Sequence, residues 1–340
     1  MSVGAAIFGC AGPSLSAGEA AFFRDCNPWA FILFSRNVET PTQVRRLCAE
    51  LRESVGRDAL IFVDQEGGRV QRLAEPHWRK APRASKFDRL YDYCPQKAKR
   101  AVWLNFRLIA QELRDVGITA NCAPVIDLPV SGAHRIISDR AFSVHPSIMN
   151  HLANACMAGL TAGGVVPVIK HIPGHGRAKV DSHASLPIID TDISDLEASD
   201  FIPFQALAQA PMAMTAHVLL TQVDKNKPVT ISKTAMSKIV RGKLSYDGLV
   251  MSDDLDMKAL KGSLTSLTQQ TLAAGCDIAL QCSGKLPAMV NVAKGLKPLS
   301  GKALRRARVA EYMSDHIDNF DKAEGLAEYE SLMNTLEARS

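Results

Sequence analysis

Apolar and polar positions along the chain follow two alternating periods. Short runs rich in Val, Ile, Phe, Leu and Ala occupy residues 3–8, 30–34, 60–63, 118–126, 165–169, 213–217, 248–251 and 276–281. They are short and largely apolar, and each predicts a strand covered on both faces. Between them, apolar residues recur at three- and four-residue spacing over 17–26, 41–55, 96–116, 146–162, 195–208, 233–244, 264–274 and 286–294, which predicts helices. Eight strand–helix pairs in one chain predict an α/β fold, a (β/α)8 TIM-type barrel built as a single domain. Residues 301–317 add a further amphipathic helix. The barrel with this helix is therefore expected over residues 1–317, with a polar, Glu-rich C-terminal tail over 318–340. Residues 74–94, interrupted by Pro76 and Pro82, are expected to run irregularly over the barrel mouth or its flank.

A barrel gathers its chemistry at the C-terminal ends of its strands. Arg36 and Asn37 close the second run, Asp64 and Glu66 the third, Asp127 the fourth, Lys170 and His171 the fifth, His217 the sixth, and Asp253 and Asp254 the seventh. One polar strand end means little, but six in succession predict a pocket rich in carboxylates and bases. The densest stretch is VVPVIKHIPGHGRAKVDSHASLP, residues 165–187. Its Pro and Gly residues forbid a helix, so His171 and His175 cannot form a helical i, i+4 zinc pair. Asp181 and His183 lie two apart and leave an extended segment on the same face. A carboxylate beside an imidazole fixes its tautomer and raises its basicity, as a general acid or base requires. The plainer alternative is a turn-capping Asp181 and a surface His183.

With 46% hydrophobic and 22% charged residues, the composition is that of a globular protein. The net charge of +5 is mild and no run of five basic residues occurs, so nucleic acid is not an expected partner. Eight cysteines without a C-x-x-C pair read as buried free thiols of a reducing compartment. The N-terminal MSVGAAIFGCAG lacks a basic leader, and no run approaches the roughly 20 apolar residues of a membrane span. A cytoplasmic protein without a membrane partner is expected. No long apolar surface helix demands a second subunit, so a monomer is expected too.

VIKHIPGHG followed by DSH, together with FVDQEGGRVQRL, FSRN, SDRAF and VMSDDLDM, strongly resembles the family 3 glycoside hydrolases of the bacterial β-N-acetylglucosaminidase type, over about residues 9–282. The resemblance implies a retaining hydrolysis, through a covalent glycosyl-enzyme, of terminal non-reducing β-linked N-acetylglucosamine. It also implies 1,6-anhydromuropeptides of peptidoglycan recycling as substrate, and a small saccharide or muropeptide as the only partner. Position by position, it makes Asp253 the nucleophile and His183, oriented by Asp181, the acid/base. The residues alone leave Asp253 and Asp254 open, since either could cap the segment that follows. The resemblance further implies that Asp64 accepts hydrogen bonds from sugar hydroxyls, while Arg72, Arg140, Lys170 and His171 donate to hydroxyls and the acetamido group.

Each assignment has a plainer alternative. Arg140 could be an ion-pair partner that stabilises the barrel, and Arg72 could simply pair with Glu66. His175 and His217 could line the site or be hydrogen-bonded structural histidines. Arg177 and Lys179 could favour an anionic, peptide-bearing substrate or stand solvated. A carboxylate and an imidazole supply the chemistry, so no metal and no organic cofactor is expected. Three rival functions remain: a phosphorylase on the same scaffold, a metal-dependent hydrolase using His171, His175, His183 and Asp253, and a sugar-binding protein without turnover. A complete set of Asp253, Asp181 and His183 argues against the last.

Overall fold

The computed structural model describes residues 2–337. Eight parallel strands, Gly4–Gly9, Pro28–Leu33, Leu60–Val63, Ala120–Asn121, Val166–Ile172, Met212–Thr215, Leu249–Asp254 and Ile278–Gln281, close into a barrel, the eighth pairing with the first. The single-domain (β/α)8 barrel expected from the alternation is the observed fold. Side chains on a strand point alternately to its two faces, and that alternation divides the core in two. Ile7, Phe62, Val168, Met212, Met251 and Ile278 fill the barrel interior. Their neighbours Phe8, Ile61, Ile169, Ala213 and Val250 belong to a separate, larger cluster formed with the helices. Both faces are buried, which is why the strands read as continuous apolar runs.

The helix Gly301–Ser314 plugs the N-terminal mouth, where Ala307 and Ala310 join the interior cluster. Trp29 Nε1 donates to Glu311 Oε1 at 2.6 Å across this plug. Chemistry is thereby left to the opposite end. Helix ends follow local signals: Thr40 caps Pro41–Val55 with Pro41 in the first turn, and Gly56 closes it at φ 64°.

Four elements depart from the sequence expectation. The fourth strand shrinks from 118–126 to Ala120–Asn121, because Pro124 offers no N–H and only Val125 bridges on to Lys170. The helix expected over 195–208 divides into Ile193–Glu197 and Phe201–Ala206, since the Pro203 ring cannot follow helical backbone at Ser199. Residues 74–94 contain a helix, Lys86–Tyr93. The segment read as a polar tail contains the helix Lys322–Glu337, which packs on Pro95–Arg114. Tyr329 and Met333 are buried in the outer core there, and Arg100 grips Glu328 through two hydrogen bonds of 2.8 and 2.6 Å. Its polar composition describes the outer face of that helix.

Candidate active site

Beyond the third strand the chain turns into a small antiparallel hairpin, Gln65–Gly67 against Val70–Gln71. Gly67 sits at φ 92°, and a Cβ there would stand 2.3 Å from the Pro82 carbonyl oxygen, so only glycine fits. The Asn121 side chain pairs with the Gln65 backbone through two hydrogen bonds of 2.9 Å. Gln65 Oε1 in turn accepts from the N–H groups of Arg72 and Leu73 at 2.8 and 3.1 Å. This frame carries Asp64, Glu66 and Arg72 to the barrel mouth.

Three cations meet the two carboxylates. Lys170 Nζ lies 2.8 Å from Asp64 Oδ1 and 2.7 Å from Glu66 Oε1. Arg140 grips Glu66 with two parallel bonds of 2.8 Å, and Arg72 reaches Asp64 at 3.3 Å. Arg140 is thus an ion-pair partner, whereas Arg72 pairs with Asp64 and not with Glu66. Burial would raise both carboxyls, but Lys170 with Arg72 at Asp64, and Lys170 with Arg140 at Glu66, hold them below their usual range. Burial works against the Lys170 charge in the same way, and Asp64 and Glu66 overcome it.

A third carboxylate, the fully buried Asp127, organises the histidines. Its Oδ2 faces His171 Nδ1 at 2.6 Å, while Oδ1 accepts the backbone N–H groups of His171 and His175 at 3.1 and 2.7 Å. His171 therefore donates Nδ1–H to Asp127 and leaves Nε2 towards the cavity it lines. Burial, and then the neighbouring His171, push the His175 imidazole down to about 4, so it is neutral. Its Nε2 contacts Ser182 Oγ at 3.2 Å, and its Nδ1 is buried without a partner. Among the described residues, no group of three His, Cys, Asp or Glu side chains is placed to hold a metal ion.

The seventh strand presents Asp253 and Asp254 side by side, and their surroundings separate them. Asp254 Oδ1 accepts from the N–H groups of Asp256 and Cys282 at 3.2 and 3.1 Å, and burial pushes its carboxyl up to about 6. Asp253 takes the Asp254 N–H at 2.8 Å. Burial opposes its charge, yet the imidazoles of His217 and His171 and that N–H hold it below the usual carboxylate range. His217 is fully buried and committed on both nitrogens, Nδ1 to Thr230 Oγ1 at 2.7 Å and Nε2 to the Asp254 carbonyl at 2.9 Å. It supports the backbone beneath the two carboxylates.

The loop after the fifth strand folds across this end of the barrel. A Cβ on Gly176 would lie 1.7 Å from the Leu128 carbonyl oxygen, so the loop can pass there only as glycine. Further on, Asp181 Oδ1 accepts both the His183 N–H and His183 Nδ1 at 2.9 Å. Donation from Nδ1 turns Nε2 free for chemistry, and the His183 side chain is 69% exposed at the mouth. These bonds from His183 hold Asp181 below the usual range against the effect of its own partial burial. Arg177 is not free for an anionic substrate: it pairs with Asp200 at 2.7 Å and Ser199 at 3.0 Å.

One cavity collects these groups. Asp64, Arg72, Arg140, Lys170, His171, His183 and Asp253 all line it, and Asp181 stands behind His183. Ile32, Phe34, Met214 and Leu280 give it an apolar lining. Glu66 lines it as well, and strand-end position had already marked that residue. Arg69 carried no sequence signal beyond its place in the motif; it borders the cavity and bonds Asp139 at 3.0 Å and the Ile136 carbonyl at 2.6 Å. Arg36 and Asn37 instead bond the carbonyls of Cys10, Cys282 and Gly12 and act structurally.

A parallel barrel with carboxylates and imidazoles converging on one mouth has the groups that acid–base and nucleophilic catalysis require. The glycosyl hydrolase family 3 N-terminal domain matches residues 19–312, and the chain belongs to that family. It is 38% identical over 314 residues to a beta-hexosaminidase of Alkalilimnicola ehrlichii, covering 90% of this chain and 89% of that one. It is 36% identical over 311 residues to a beta-hexosaminidase of Pseudomonas aeruginosa, covering 88% and 90%. The crystal structure of NagZ from Neisseria gonorrhoeae in complex with N-trifluoroacetyl-D-glucosamine superimposes with a TM-score of 0.85 at 29% identity, over 99% of this chain and 98% of that one. Within its family the chain is an enzyme of the beta-hexosaminidase type.

Proposed function

We propose that the enzyme removes terminal non-reducing β-linked N-acetylglucosamine with retention of configuration, and that its substrates are the 1,6-anhydromuropeptides of peptidoglycan recycling. The observation that carries this reading is that an ionised Asp253 and an imidazole oriented by Asp181 share one cavity. In the first step an Asp253 oxygen bonds to C1 while the C1–O bond breaks, and His183 Nε2–H protonates the departing oxygen. In the second, neutral His183 takes a proton from water as that water attacks C1, and Asp253 leaves as carboxylate. Asp181 stabilises the imidazolium that exists between turnovers. Asp64 accepts from sugar hydroxyls, and Arg72, Arg140, Lys170 and His171 donate to the sugar. The gonococcal neighbour bound to an N-acylated glucosamine supports the acetamido preference.

A carboxylate and an imidazole supply this chemistry with no metal or organic cofactor. A cytoplasmic monomer is part of the same proposal; among the described residues no helix is long and apolar enough to cross a membrane. Initial rates on an aryl β-N-acetylglucosaminide and the matching aryl β-glucoside, in phosphate-free buffer with chelator, test the reading. Strong preference for the N-acetyl sugar is expected. Release that requires added phosphate or a divalent metal ion would replace hydrolysis with one of the rival chemistries.

A further inference from the structure

Ser182 stands between the two halves of the proposed acid/base pair, yet its environment is the opposite of theirs. The His183 side chain is largely exposed, while Ser182 is 4% exposed. The three residues sit in a tight turn, in which the Asp181 carbonyl accepts the Ala184 and Ser185 N–H groups at 2.9 and 3.0 Å, and within it the His183 side chain reaches the mouth while Ser182 is buried. Its Oγ is 3.2 Å from His175 Nε2, and its carbonyl accepts the Ala259 N–H at 3.2 Å on the segment that follows Asp253.

His175 is held independently of Ser182. Its N–H donates to Asp127 at 2.7 Å, and its carbonyl accepts the Ala178 N–H at 3.1 Å. Its ring, however, is buried with Nδ1 unpartnered, so the hydrogen bond its ring makes is the one between Nε2 and Ser182 Oγ. Burying an imidazole with one nitrogen unsatisfied is costly, and a plain apolar side chain would avoid that cost. The contact to Ser182 is what the ring provides in return.

We infer that Ser182 is a positioning residue for the acid/base: its bond to His175 pins the apex of the loop and so sets where the Asp181–His183 pair stands over Asp253. The inference rests on the proposed role of His183 and adds to it the part that holds His183 in register with the nucleophile. Ala259 couples the same residue to the segment carrying that nucleophile, so Ser182 ties the loop after the fifth strand to the loop after the seventh.

The test compares kcat/KM for 2,4-dinitrophenyl and 4-methoxyphenyl β-N-acetylglucosaminides, because a good leaving group needs no protonation and a poor one does. Ser182→Ala is expected to lose roughly tenfold or more on the methoxyphenyl substrate and less than about twofold on the dinitrophenyl one. Ser182→Thr, which keeps the hydroxyl, should restore most of the loss. The Ser182→Ala/His183→Ala double variant should be no slower than His183→Ala alone, since both act through one group. Should Ser182→Ala fold poorly, Ser182→Cys carries the same leaving-group expectation. Equal losses on both substrates, or additive losses in the double variant, would overturn the pin while leaving His183 as acid/base. A His183→Ala enzyme that treats both substrates alike would overturn the acid/base reading and this inference with it.

Discussion

His171 and Asp127 meet at 2.6 Å, Nδ1 to Oδ2, in a layer where Asp127 has no exposure to solvent. The other oxygen of the same carboxylate accepts the backbone N–H groups of His171 and His175. One side chain from the fourth strand end therefore fixes a ring tautomer and also the course of the loop that carries Asp181 and His183.

Asp127→Asn keeps the shape but replaces one acceptor by a donor, which faces either an N–H or the His171 ring. Partners of this kind typically cost 10- to 100-fold when removed from metal-ligating histidines, and a loss of about that size in kcat/KM is expected here. The loop is also loosened, so the midpoint of thermal unfolding should fall. Steady-state kinetics and a thermal scan on the purified variant check both.

Lys170 is almost fully buried between Asp64 and Glu66, so removing its charge leaves two carboxylates facing each other with only the arginines to compensate. Lys170→Met should destabilise by about 3–5 kcal/mol, the usual result of breaking one side of a buried pair. Denaturant unfolding measures this, and activity should be lost with it.

The same network sets the acid limit of the fold. Asp64 and Glu66 have folded values below their unfolded ones, so their contribution is fully present above about pH 4 and is lost as pH falls below it. Thermal midpoints should fall from pH 5 to pH 3, and by less in a Glu66→Gln variant measured against its own pH 5 value.

Asp254 behaves in the opposite sense. Its folded value of about 6 exceeds the reference 3.8, so ionisation opposes folding and stability declines as pH rises from about 4 to 6. Asp254→Asn should therefore stabilise at pH 8, by up to about 3 kcal/mol, and not at pH 4. It should also keep far more activity than Asp253→Asn, which separates the two neighbours that spacing left open.

Tyr329→Ala tests the C-terminal helix. The ring is buried and lies under the Arg79 guanidinium at 5.2 Å, so its loss should cost roughly 3 kcal/mol while kcat/KM changes little. Denaturant unfolding and kinetics on one preparation give both numbers.

The residues that line the cavity were legible because a barrel makes strand ends converge, and Asp64, Lys170, His171 and Asp253 need no further information to be placed together. Their partners were not legible. Arg140 finds Glu66 across 74 residues, from a segment beyond the fourth strand and not through any local pattern. Arg177 looked free on its loop, but Asp200 is brought to it by the break at Pro203. The helix Lys322–Glu337 was hidden for a compositional reason: Glu324, Glu328, Glu330 and Glu337 punctuate it and mask the face that buries Tyr329 and Met333.

The central claim is that Asp253 forms the bond to the sugar. The most direct measurement is intact-protein and peptide mass spectrometry after incubation with a slow fluorinated β-N-acetylglucosaminide that accumulates the glycosyl-enzyme. The account predicts one added sugar per chain, mapped to the peptide containing Asp253 and absent from Asp253→Asn. An adduct on another residue, or steady turnover of the Asp253→Asn enzyme, would contradict it.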